Sequence, residues 1–248
     1  MLWGETWWQL EPWLPGAAEP SSSPPVARLS AAMIALRDWH AAAARFRSEG
    51  AGRAWFAGPP VGLPPAAVER IPKLRALLGE LRRLPAALPL PDPEWHDVWQ
   101  RLIAGCRRRG PGLLPQLEQA ARQPVPLQIC LRDVWRDHVL FTGDEVTGLI
   151  DPAASRWDTV TADLSRLLGS LVGDQPEAWR IAVAAYESQR PLNAAERELL
   201  PVLDQSGVVL SAGTWIQRLL AGNAPIGPAL LARLRSIASR LETLRVED

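Results

Sequence analysis

Apolar residues recur at helical spacing along most of this chain. From Val26 to Phe46 the residues Leu29, Met33, Leu36, Trp39 and Ala43 fall on one face, which predicts an amphipathic helix. A second helical pattern runs from Ala66 to Leu84 and is expected to bend near Pro72. Asp92 to Arg109 reads as a third helix, with Asp92 as its N-cap and Pro93 in its first turn. Pro111 then predicts a break, and Pro111 to Gln123 a separate short helix. Beyond Asp158 the period is again helical, over roughly 159–172, 175–189, 194–221 and 227–245.

The pattern changes in three places. Trp7–Leu10 reads as a short strand, followed by a turn-rich linker from Pro12 to Pro25. Ser48 to Pro65 is rich in Gly and Pro and reads as a loop. Val125–Leu131 is a β-prone apolar run. Val139–Phe141 and Val146–Ile150 then flank Thr142-Gly143-Asp144-Glu145, a hairpin-type turn. The expected fold class is α+β, mostly helical, with one small β-hairpin insert at its middle.

Composition narrows the function. Formal net charge is zero, which argues against a nucleic-acid binder working through a broad basic face. Arg107-Arg108-Arg109 suits the negative end of a helix dipole, with a basic patch as the alternative. Cys106 and Cys130 form neither a disulfide framework nor a metal-binding pair. No apolar run reaches membrane-spanning length, and the first residues make a poor signal peptide, so a cytoplasmic protein is expected. His40 and His96 sit in amphipathic helices and read as structural. Most of the twelve tryptophans read as core, with Trp3, Trp7, Trp8 and Trp13 as exceptions.

The chemistry gathers around Cys130-Leu131-Arg132-Asp133-Val134-Trp135-Arg136-Asp137-His138, followed after the hairpin by Leu149-Ile150-Asp151. In kinase-type phosphoryl transfer a loop Asp accepts the proton of the substrate hydroxyl. A metal ligand follows five residues later, and a second Asp beyond a hairpin holds the metal against the phosphates. Asp133, His138 and Asp151 stand at those spacings. An imidazole at position 138 suits Mn²⁺ or Zn²⁺ better than the oxygen-seeking Mg²⁺, with Asp137 as an alternative oxygen donor.

Residues Leu131 to Leu168 resemble the aminoglycoside phosphotransferase/choline kinase family, whose usual form is HGDxxxxN followed by IDF or IDW. Ala162-Asp163-Leu164 is similar to the family's DLA helix, whose Asp braces the catalytic loop. Trp8 to Gly16 resembles the last N-lobe strand and hinge, and Ala35 to His40 the helix after it. The resemblance implies a protein-kinase-like C-lobe over residues 17–248, with its catalytic core at 125–168 and residues 1–16 a remnant of the N-lobe. It implies ATP with Mg²⁺ or Mn²⁺ as cofactors and a small-molecule hydroxyl as acceptor, with no nucleic acid or membrane partner. Asp133 would be the base, Asp151 and His138 would hold the metal, Arg132 and Asp163 would support the loop, and Glu11 and Trp13 would meet the nucleotide. Leu131, Arg132, His138 and Pro152 depart from the family's His, Gly, Asn and aromatic residue. No Gly-rich loop or strand-borne lysine precedes the hinge, and the single lysine, Lys73, lies in a later helix. Those departures leave a catalytically impaired binding protein or a truncated remnant as the alternative. An uncovered N-terminal apolar surface would favour self-association or a partner.

Overall fold

The computed structural model describes residues 2–3, 6–7, 12–21, 23–46, 58–84 and 90–244. Seven helices account for most of them: α1 (Val26–Ala43), α2 (Pro65–Leu81), α3 (Pro93–Ala120), α4 (Val160–Val172), α5 (Pro176–Glu187), α6 (Ala194–Leu220) and α7 (Pro228–Thr243). Between α3 and α4 lie the β elements. Strand β7 (Val139–Thr142) pairs antiparallel with β8 (Glu145–Leu149) across the expected turn, where Gly143 takes φ +60°. The outer edge of β7 is covered by β3 (Ala17–Ala18), a strand inside what the sequence reads as linker. Strand β6 (Gln128–Cys130) pairs with β9 (Arg156–Asp158), and β4 (Val61–Gly62) with β5 (Val125–Pro126). At the N-terminus β1 (Leu2–Trp3) pairs with β2 (Thr6–Trp7). The expected strand over Trp7–Leu10 lies outside the described residues beyond Trp7.

The expected break at Pro111 does not occur. Helix α3 runs unbroken for 28 residues with Pro111 and Pro115 in its interior, and Asp92 caps it by accepting from the amides of Glu94 and Trp95. An interior proline costs about 3 kcal/mol. Continuing the helix keeps Leu113 and Leu117 in the same core as Trp95, Trp99 and Leu102. Each such side chain contributes roughly 1.5–3 kcal/mol by burial. Gly110 lets α2 approach, because a Cβ there would lie 2.7 Å from Leu78 Cδ2. The three arginines therefore do not end a helix. Arg107 donates to the carbonyl of Leu81, and Arg108 and Arg109 to that of Leu241, so they cap the C-terminal ends of α2 and α7.

Two apolar cores result. Helices α2, α3, α6 and α7 enclose one, and α1, α4, α5 and the β insert enclose the other. Helix α4 lies between α5 and α6 and joins them. Among the described residues no helix is long and apolar enough to cross a membrane.

Asp204, on the buried side of α6, faces Arg240 of α7 at 2.8 Å. Burial lifts its carboxyl to about 6 in spite of that cation. Its folded pKa lies above the unfolded value of 3.8, so the stability it contributes is present below that pH. That contribution is lost as the pH rises to about 6. Asp204→Asn is expected to flatten the unfolding free energy across this window, measured by urea melts at successive pH values. A slope equal to that of the wild type would assign the titration to another group.

Candidate active site

The site is assembled where β6 leads into the loop 131–138 and β8 leads into Asp151. Asp163, in the first turn of α4, is fully buried. Its carboxylate accepts the backbone amides of Leu131 (2.7 Å) and Arg132 (2.6 Å). His40 of α1 donates its Nε2–H to the same carboxylate at 2.9 Å. With that nitrogen committed, Nδ1 is left to pair with the Tyr186 hydroxyl at 2.8 Å. Burial pushes the Tyr186 pKa up, which keeps the hydroxyl proton in place. His40, Cys130 and Asp163 come within 4.8 Å of one another, the spacing of a metal site. Their polar atoms are used internally, since the Cys130 thiol donates to the carbonyl of Asp158. The cluster is a hydrogen-bonded brace that ties α1, α4 and α5 to the loop.

With its amides pulled inward, the loop turns at Arg132, which takes φ +69°, a left-handed conformation that favours glycine. The Arg132 side chain compensates. Its guanidinium faces the buried carboxylate of Asp158 and donates to Glu69 of α2, which also accepts from Arg156. Burial lowers the Arg132 pKa from its ordinary value; Glu69 opposes that shift and Arg156 adds to it. Asp133 thereby points outward, its side chain 52 % exposed, with Arg166 of α4 3.3 Å from Oδ1.

His138 closes the loop. Its Nδ1–H donates to the backbone carbonyl of Asp133 at 2.8 Å, and its Nε2 accepts from the Trp135 indole at 2.8 Å. Asp151, also left-handed at φ +57°, follows the hairpin with its side chain 60 % exposed and Oδ2 3.8 Å from His138 Nε2. An exposed carboxylate oxygen fits a divalent cation. The imidazole could join it only by giving up the Trp135 indole, so the donor set present is one oxygen and one occupied nitrogen. Asp137 sits beside Arg136 at 3.4 Å.

The other expected residues are less engaged. Trp13 is 98 % exposed, Glu11 lies outside the described residues, and so do the side chains of Trp3, Trp7 and Trp8. Lys73 is exposed on α2. A cleft of about 900 Å³ opens beside the loop between α4, α6 and α7, lined by Trp135, Arg166 and Arg233 among others.

A buried Asp bracing a loop that presents an outward Asp, followed by a hairpin ending in a second Asp, defines a protein-kinase-like catalytic lobe. The chain belongs to the phosphotransferase enzyme family, whose model matches residues 4–201. It is 34% identical over 125 residues to a homoserine kinase of Gluconacetobacter diazotrophicus, covering 43% of this chain and 39% of that one. It is 30% identical over 153 residues to a homoserine kinase of Methylobacterium nodulans, covering 54% and 47%. The matches thus span less than half of either relative. In fold it is similar to an aminoglycoside phosphotransferase from Alicyclobacillus acidocaldarius, with TM-score 0.61, 16% identity and coverage of 93% of this chain and 66% of that one. A choline/ethanolamine kinase family protein from Mesorhizobium loti gives TM-score 0.51 at 20% identity, covering 87% and 61%.

The sequence reading passed over several residues of this assembly. His40, which reads there as structural, is so: it holds the loop's brace. Arg166 lies in the Asp163 helix without an assigned role, and Glu69, Arg156 and Tyr186 are brought to the site only by their place in the fold.

Proposed function

We propose that this chain transfers the γ-phosphoryl group of ATP to a hydroxyl of a small molecule. The observation that carries the reading is the outward carboxylate of Asp133, held by Arg166 while its loop is fixed from behind by Asp163. Asp133 accepts the hydroxyl proton as the new O–P bond forms and the bond to the β-phosphate oxygen breaks, releasing ADP. Arg132 and Asp163 support the loop. Glu11 and Trp13 would meet the adenine. Asp151, with His138 once Trp135 releases its Nε2, would hold Mg²⁺ or Mn²⁺, which when bound neutralises phosphate charge. Homoserine, the acceptor named in the relatives, heads the candidates. The direct test is to incubate the chain with ATP, either metal and a panel of hydroxyl compounds, and to follow phosphate monoester by phosphorus NMR. A correctly folded chain that forms no monoester with any of them would overturn the reading.

The metal site carries its own prediction. Asp151→Asn is expected to abolish Mn²⁺ binding in calorimetry. His138→Asn is expected to shift preference toward Mg²⁺, because an amide oxygen suits the harder ion. An unchanged preference would remove His138 from the ligand set.

A further inference from the structure

We infer that Arg233 is the anchor for an anionic group, a carboxylate, carried by the acceptor beside its reactive hydroxyl. The inference rests on Asp133 being the base and adds the chemical class of molecule that the neighbouring cleft admits. Five arginines and three aspartates line this cleft. Four of the arginines are engaged. Arg240 holds Asp174 and Asp204, and Arg70 donates to Ser206. Arg136 lies against Asp137, and Arg166 against Asp133.

Arg233 differs from all of these. Among the described residues it has no carboxylate or carbonyl within hydrogen-bonding distance. Two indoles hold it instead, with its guanidinium carbon 5.6 Å from the Trp135 ring and 5.4 Å from the Trp215 ring. Cation–π contacts fix a guanidinium in place while leaving its N–H fork free to donate. Trp135 belongs to the catalytic loop itself, two residues beyond Asp133, so the fork is tied to the base through one ring. Burial lowers the Arg233 pKa from its ordinary value; Arg166 and Arg218 add to the effect, and Asp137 and Asp133 oppose it. A volume of about 900 Å³ leaves room for an acceptor beside the fork, with Trp135 and Arg166 also in its lining.

The test compares homoserine with aminopropanol, which is the same molecule without its carboxylate, by calorimetric titration and by turnover with ATP. The wild type is expected to bind the carboxylated ligand about 10–100-fold tighter, the value of one charge-assisted hydrogen-bonded contact. Arg233→Gln is expected to bring the two ligands to the same affinity, with the loss in turnover appearing in KM. Arg233→Lys, which keeps the charge without the fork, recovers part of the preference. Equal binding of both ligands by the wild type would overturn the anchor, as would a parallel loss for both in Arg233→Gln. Binding that depends on carboxylate and Arg233 without any phosphorylation would overturn the phosphotransferase reading and leave the anchor standing. Phosphorylation indifferent to the carboxylate would do the reverse.

Discussion

Asp133→Asn is expected to reduce phosphoryl transfer by about 10²–10⁴-fold, the contribution of a positioned general base. The amide keeps the size and polarity of the carboxylate but cannot take the hydroxyl proton. The fold should be indifferent to the change, because the side chain is half exposed and its one ion pair, with Arg166, is a surface contact. The measurement is kcat beside a thermal melt. A variant with wild-type kcat would remove Asp133 from the chemistry. One that loses kcat and melting temperature together would show a structural defect instead.

Asp163→Ala should act the opposite way, on stability first. The fully buried carboxylate satisfies two backbone amides and one imidazole, so its removal leaves three donors without this acceptor. Removing one member of such a buried network costs about 3–5 kcal/mol. For a chain of this size that is a fall in melting temperature of roughly 6–20 °C. His40→Phe should show a smaller loss, since the carboxylate keeps its two amides. If Asp163→Ala melts within a degree or two of the wild type, the brace is not what holds the loop.

What was legible in the sequence divides by range. The hairpin was readable because its signals are local: a turn at Gly143 and short flanking runs of β-prone apolar residues. The C-terminal helices were readable from their local helical period, and the structure adds a capping box of Asn193 and Glu196 at the start of α6. The spacing of Asp133, His138 and Asp151 was readable because loop and hairpin are contiguous in sequence. Helix α3 was misread because proline signals are local too, whereas the burial that overrides them comes from α6 and α7. The partners of the loop lie far off in the chain. His40 precedes Asp163 by 123 residues, and Glu69 precedes Arg132 by 63. No periodicity reports such pairs. The role of His138 was half visible, since spacing marked the position but could not show that Asp133 and Trp135 occupy both ring nitrogens.

The left-handed turn at Arg132 has a consequence for how this lobe can change over generations. A glycine at this turn would need no side chain to hold it, and position 69 would be under less constraint. Here an arginine in a strained conformation leans on Glu69 and Asp158, so the shape of the loop depends on a helix 63 residues away. The two positions have become mutually conditional. Loss of Glu69 should cost more with Arg132 present than once position 132 is glycine, where only its contact with Arg156 is lost, a coupling that a double-mutant cycle reads directly.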